Sequence, residues 1–396
     1  MLASIPRPVL CAATAALLVV ACSAPKVTEP VAPQPLAATS SGSADAAAVR
    51  ALYTRPQAEW PAPTIDAGVA FVELGPVQKR RLPQDEAGKA KVELGKALFF
   101  DPRLSGTGQM ACASCHDSDL GFADGRTTSF GHGFQQLRRN APSILNSAAL
   151  PSLFWDGRAK SLEDQALMVF ENADEMHTSG ADVTAKVAQS KGYRERFRAA
   201  FGDDEVTLPR TLQAIAAFEA TVQSDGSSAF DKFVAGDTAA LSDDAVLGLH
   251  LFRTKARCAN CHNGPLFTDH SFHDLGLSYY GRELEDLGRH RVTNDRADVG
   301  KFKTPSLRNV TRTAPYMHNG LFDLEGVVNM YSAGMATLRR KPGQEDDPLF
   351  PTKSPLLQKL DLTKDEKRAL LAFLESLEER RRRIRPPELP ALGDAR

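Results

Sequence analysis

Apolar residues along this chain recur at helical spacing, and nowhere do they alternate as a half-buried strand would. Leu162, Ala166, Leu167 and Phe170 mark one short amphipathic helix, and Leu212, Ile215, Ala216 and Val222 mark another. Leu370, Leu371, Leu374 and Leu377 form a third apolar face near the far end. That helix opens at Thr363 with Glu366 three positions on, the reciprocal pairing of a capping box. Between the helices run long stretches rich in Gly, Asn, Asp and Pro. Such loops rarely make a compact fold unless they have a large apolar body to cover. The predicted class is mainly α with long irregular loops.

The pattern also repeats. Leu94-Gly95-Lys96-Ala97-Leu98-Phe99 comes before one Cys-x-x-Cys-His run, and Leu247-Gly248-Leu249-His250-Leu251-Phe252 before a second. Phe122-Ala123-Asp124 and Phe267-Thr268-Asp269 follow them. The runs are Cys112-Ala113-Ser114-Cys115-His116 and Cys258-Ala259-Asn260-Cys261-His262. Each reads as a c-type haem attachment site, in which two thiols bond to the porphyrin and the adjacent histidine is held beneath the iron. A zinc site built from the two cysteine pairs is the rival. The pairs lie far apart for a compact zinc module, and both carry the trailing histidine. Two copies of a haem-binding unit, with a boundary near Gln223–Asp237, are therefore expected.

Composition sets the compartment. A basic start, an apolar run to Val20 and a small residue at Ala21 read as a secretory leader over residues 1–21. Cys22 then stands where a lipoprotein is acylated, while Cys11 is lost with the leader. Residues 22–65 are expected to be a flexible tether, since 24–48 are mostly Ala, Pro and Ser. With 48 basic and 49 acidic residues, nothing points to nucleic acid or an anionic membrane surface. Arg380 to Arg383 read as a solvated helix end.

These motifs sit among others. Leu98-Phe99-Phe100-Asp101-Pro102-Arg103-Leu104-Ser105, Arg139-Asn140-Ala141-Pro142, Phe154-Trp155-Asp156-Gly157-Arg158 and Ser161-Leu162-Glu163-Asp164-Gln165 precede the second haem motif. Phe302-Lys303-Thr304-Pro305-Ser306-Leu307-Arg308-Asn309 and Thr313-Ala314-Pro315-Tyr316-Met317-His318 follow it. Together they resemble the bacterial di-haem cytochrome c peroxidases, the superfamily that includes MauG, from about Val92 to Ala333. The resemblance implies two helical cytochrome c-like domains. The first, 66–228, is expected to be completed by the C-terminal helix 363–385; the second is 229–362. Peroxide would react at the first haem, and the second would store or relay electrons. By the same resemblance Trp155 couples the haems, while Glu175 and Gln165 serve peroxide cleavage. The family usually has Pro where this chain has Ala173. Asn140, Thr313 and Pro315 match the residues around one inter-domain calcium ion, a cation suited to such oxygen donors.

Two positions separate the subfamilies. His132, between Gly131 and Gly133, matches a histidine that caps the resting first haem in reductively activated peroxidases. Tyr331 matches the distal ligand of the second haem in the MauG branch, with Met330 as rival, and Met317 and Met335 behind it. His177, His250, His270, His273, His290 and His318 are given structural roles. The first reading is a periplasmic, lipid-anchored peroxidase that reduces hydrogen peroxide with electrons from a small cytochrome c or cupredoxin. A MauG-like enzyme that oxidises a partner protein is the second, and a non-catalytic electron carrier the third. Homodimers are common in the family.

Overall fold

Side-chain caps begin most of the helices, each accepting the backbone N–H three residues on. The computed structural model describes residues 42–391, so the leader and Cys22 lie outside the described residues. Helix α1 spans Gly42–Tyr53 and α2 spans Glu86–Phe99 behind Asp85. Then come α3 (Leu162–Glu171, capped by Ser161), α4 (Gly180–Gln189, Ser179) and α5 (Lys191–Phe201, Ser190). Helix α6 (Leu208–Glu219) starts at Thr207, α7 (Ala229–Val234) at Ser228 and α8 (Asp243–Arg253) at Ser242. Strand β1 (Phe272–Asp274) pairs antiparallel with β2 (Lys301–Lys303), with α9 (His290–Thr293) between them. Helix α10 (Leu324–Ser332) follows Asp323, and α11 (Lys364–Glu375) carries the expected capping box of Thr363 and Glu366. No described helix is long and apolar enough to cross a membrane.

The repeated Leu-Gly pair explains how each half is built. A Cβ on Gly95 of α2 would lie 1.7 Å from the Ala214 carbonyl oxygen of α6. A Cβ on Gly248 of α8 would lie 2.0 Å from the Ala369 carbonyl oxygen of α11. In both halves the glycine lets two helix backbones cross in direct contact, which no larger residue allows. One core collects Leu94, Leu98, Phe170, Val183, Phe197 and Ile215; another collects Phe230, Leu249, Phe252, Phe267, Leu370 and Phe373.

Two expectations are corrected. The C-terminal helix does not complete the first half, because α11 is the crossing partner of α8 and its apolar face sits in the second core. Only the extended tail beyond it reaches the first half. There Ser190 Oγ donates to Ala391 O at 2.6 Å, and Leu389 joins the first core. Nor is 42–65 a tether. Tyr53 and Trp60 are buried with ring centroids 5.0 Å apart, and Thr64 N–H donates to Arg253 O at 2.8 Å. An alanine-rich segment with two large aromatic anchors buries enough apolar surface to order itself.

Candidate active site and haem centres

Each Cys-x-x-Cys-His run forms a tight 3-10 turn, at Cys112–Ser114 and Cys258–Asn260. Its histidine is then fixed by the residue that the repeat places next. His116 Nδ1–H donates to Phe122 O at 3.0 Å, and His262 Nδ1–H to Phe267 O at 2.9 Å. Phe122 (φ 63°) and Phe267 (φ 54°) both take left-handed backbone, a rare conformation for such residues that turns each carbonyl toward the ring. A carbonyl partner at Nδ1 assigns the proton there and leaves Nε2 as the lone-pair nitrogen for a metal. Burial depresses both imidazole pKa values, which favours the neutral, ligating form. All four cysteines are free of disulfides. Cys258, Cys261 and His262 line one cavity whose walls are chiefly apolar, among them Leu277, Val328, Leu362 and Leu374. The donor set and the apolar walls fit a covalently held haem.

Among the described residues the two cysteine pairs do not combine into a zinc cluster. The one grouping of metal-type ligands is Cys261, Asp269 and His273, where Asp269 is already paired to His273 at 2.8 Å. Tyr331 lines the cavity with Cys258, Cys261 and His262, as does Met317, whereas Met330 and Met335 do not. Burial raises the Tyr331 phenol pKa, with Cys261 and Cys258 adding to the shift.

Glu175 lies half-buried near Cys115. Burial holds its carboxyl above the usual glutamate range, against the opposing pull of the Arg158 guanidinium and the Asn172 side chain. Arg158, in the aromatic motif, was not singled out from the sequence. Asn172 also organises the turn that lacks the usual proline. Its side chain accepts from Asp174 N–H at 3.0 Å, and its carbonyl from Glu175 N–H at 3.1 Å and His177 N–H at 3.0 Å. Gln165 lies on α3, the helix leading into that turn. The His132 loop is tied to the same turn, since His132 N–H donates to Asp174 O at 2.9 Å. A Cβ on Gly131 would lie 1.8 Å from that Asp174 oxygen. The His132 ring stacks on His177 with centroids 4.2 Å apart, and its Nδ1 is buried without a protein partner.

Trp155 lines the same cavity as His262. Its Nε1–H donates to Asn140 O at 2.9 Å, and its carbonyl accepts from Lys303 N–H at 2.8 Å. Arg139 clamps the junction, bonding Asp156 at 2.6 Å and both oxygens of Asp286 at 2.6 and 2.9 Å. Asn140, Thr313 and Pro315 all line this cavity. His318 stacks on Phe302 with centroids 3.6 Å apart, and burial pushes its imidazole down to about 4. His250 meets the Tyr53 hydroxyl at 3.1 Å, and His290 Nδ1–H donates to Asp295 O at 2.8 Å.

Sequence reasoning missed Glu219. It stands on the apolar face of α6, is 4% exposed, and burial pushes its carboxyl up to about 8. Its charge also bears on Cys112. The signal was available, for Glu219 follows Ile215 and Ala216 at the spacing of the buried stripe.

Known proteins carry the same pattern. Residues 89–239 match the family described as di-haem cytochrome c peroxidase. The methylamine utilization protein MauG of Methylophilus methylotrophus is 39% identical over 305 residues, 76% of this chain and 86% of the relative. The cytochrome c551 peroxidase of Nitrosomonas europaea is 41% identical over 286 residues, 72% of this chain and 79% of the relative. Among solved structures, a MauG-like protein associated with microbial copper homeostasis matches with TM-score 0.67 at 33% identity, over 80% of this chain and 96% of that one. The diheme peroxidase BthA of Burkholderia thailandensis matches with TM-score 0.63 at 25% identity, over 81% of this chain and 94% of that one. With its two Cys-x-x-Cys-His runs and this breadth of likeness, the chain belongs to the di-haem cytochrome c peroxidase family that includes MauG, a family of di-haem oxidoreductases with two c-type haems.

Proposed function

We propose that this protein is an exported peroxidase that reduces hydrogen peroxide to water with electrons from a small cytochrome c or cupredoxin. The observation that carries this reading is Glu175, a half-buried carboxyl of raised pKa beside Cys115, on a turn fixed by Asn172. When bound, the haems supply iron that accepts peroxide and hold the electrons delivered by the donor. Glu175 would take a proton from one peroxide oxygen and return it to the other, which would leave as water. Gln165 orients the substrate by hydrogen bonding. Trp155, hydrogen-bonded to Asn140 and braced on Lys303, couples the two centres. Asn140, Thr313 and Pro315 would hold one calcium ion, a cation suited to such oxygen donors. His132, held to the Asp174 turn, would be the residue that keeps peroxide from the resting first haem. The leader places the protein in the periplasm, and Cys22 carries its lipid anchor.

The balance tests the proposal: peroxide, two protons and two electrons give two waters. Anaerobic mixing of the half-reduced holoprotein with peroxide and reduced cytochrome c or cupredoxin is expected to oxidise two donors per peroxide. Donor oxidation that does not track peroxide loss would refute it. A second reading, oxidation of residues on a partner protein, is favoured by Tyr331 in the second haem cavity. As a phenolate ligand to that haem, Tyr331 would favour the oxidised metal.

A further inference from the structure

The cavity of the second haem has an unbalanced lining. Among the described residues its walls hold Arg257, Lys303 and Arg308, and no Asp or Glu. Two of these cations are answered from behind the wall, Arg257 by Asp66 and Arg308 by Asp231. Lys303 meets no carboxylate. Burial alone pushes its amine down to about 8, with no acid opposing the shift. The ionisable group its charge reaches is His270, and a histidine brings either no charge or a second positive one. His270 Nδ1 is itself buried without a protein partner.

Both ends of Lys303 are tied to the first half of the chain. Its backbone sits on β2 opposite Phe272, and its N–H donates to Trp155 O at 2.8 Å. Its Nζ donates to Ser152 O at 3.1 Å. An ammonium carries three donors, so a single carbonyl leaves it short of partners. A half-buried cation with no counter-charge is costly, and the cost falls away once an anion stands beside it.

We infer that Lys303 pairs with a propionate carboxylate of the second haem and so raises that haem's reduction potential. The lining offers this cation no acid, and haem carries its own. Reduction adds an electron to the haem, and a fixed cation nearby makes that addition easier. The chiefly apolar walls keep the attraction from being screened by salt. The inference needs only the haem, so it holds for peroxide reduction and for oxidation of a partner protein alike. In the first case its effect is to ease the donor's electron into the second haem.

The test is a redox titration of the holoprotein, each haem followed by its own electron paramagnetic resonance signal, for wild type, Lys303→Met and Lys303→Arg. Met keeps the length of the side chain without its charge, and Arg restores the charge. The Met variant is expected to lower the equilibrium constant for reducing the second haem about three-fold or more, about 28 mV for one electron. The first haem should be unmoved. The propionate bending band in the resonance Raman spectrum should fall in frequency, because a hydrogen-bond donor is lost. Arg should keep both readings near wild type. A Met variant with full haem content and an unchanged potential and band would overturn the inference. So would a shift confined to the first haem. Should the Met variant fail to take up haem, Lys303→Gln decides: a lower second-haem potential upholds the inference, and an unchanged one overturns it.

Discussion

Glu175→Gln is expected to lower kcat for peroxide reduction by about 10²- to 10⁴-fold, the usual worth of a positioned general acid–base group. Gln keeps the shape of the side chain and its hydrogen bonding but cannot accept the proton. Haem content and visible spectrum should stay as in the wild type, since the attachment runs are untouched. The wild-type pH profile should show an acidic limb. Its sign follows from the role, because only the carboxylate accepts the proton, so kcat/KM rises as pH climbs through the Glu175 pKa. Burial raises that pKa, so the limb lies above the 4.5 of an ordinary glutamate. The variant should lose the limb. A full-rate variant, or a limb that persists in it, would place the proton transfer elsewhere.

Arg308→Ala is expected to cost about 3–5 kcal/mol, the cost of leaving one member of a buried ion pair without the other. Arg308 and Asp231 are 3% exposed each and meet at 2.7 Å. The guanidinium also donates to Gly75 O at 2.6 Å and Pro265 O at 2.9 Å, and lies over the Phe267 ring at 5.1 Å. It therefore joins α7, the loop after the second haem motif and the N-terminal segment that wraps the second half. Equilibrium denaturation of the holoprotein should show the midpoint falling. The double variant Arg308→Met with Asp231→Leu should recover part of the loss, because it buries no uncompensated charge. Equal stability of Arg308→Ala and wild type would mean that water reaches Asp231.

Much of this was legible in the chain. Helices α3 and α6 follow from their apolar spacing, and α11 from Thr363 and Glu366. The haem motifs carried their chemistry in three residues at fixed spacing, and the repeat placed Phe122 and Phe267 where a carbonyl is needed. Other features depend on which distant segments meet. Low hydrophobicity around residues 42–48 read as disorder, yet Tyr53 and Trp60 downstream supply the anchors. The place of α11 turned on Gly248, whose significance lies in a crossing partner over a hundred residues away. Arg80 and Arg382, 302 positions apart in the chain, both bond to Gln223. Local pattern predicts local structure well; long-range pairing escapes it.

The measurement that tests the central claim most directly is electron paramagnetic resonance of the holoprotein after one equivalent of peroxide. It is made once on the fully ferric form and once after one-electron reduction. The account predicts that the ferric form keeps both signals and that only the half-reduced form reacts, as it would if His132 closed the first haem to peroxide until the second is reduced. Loss of both ferric signals without prior reduction would contradict it, and would identify an enzyme whose oxidising power is meant for a partner protein.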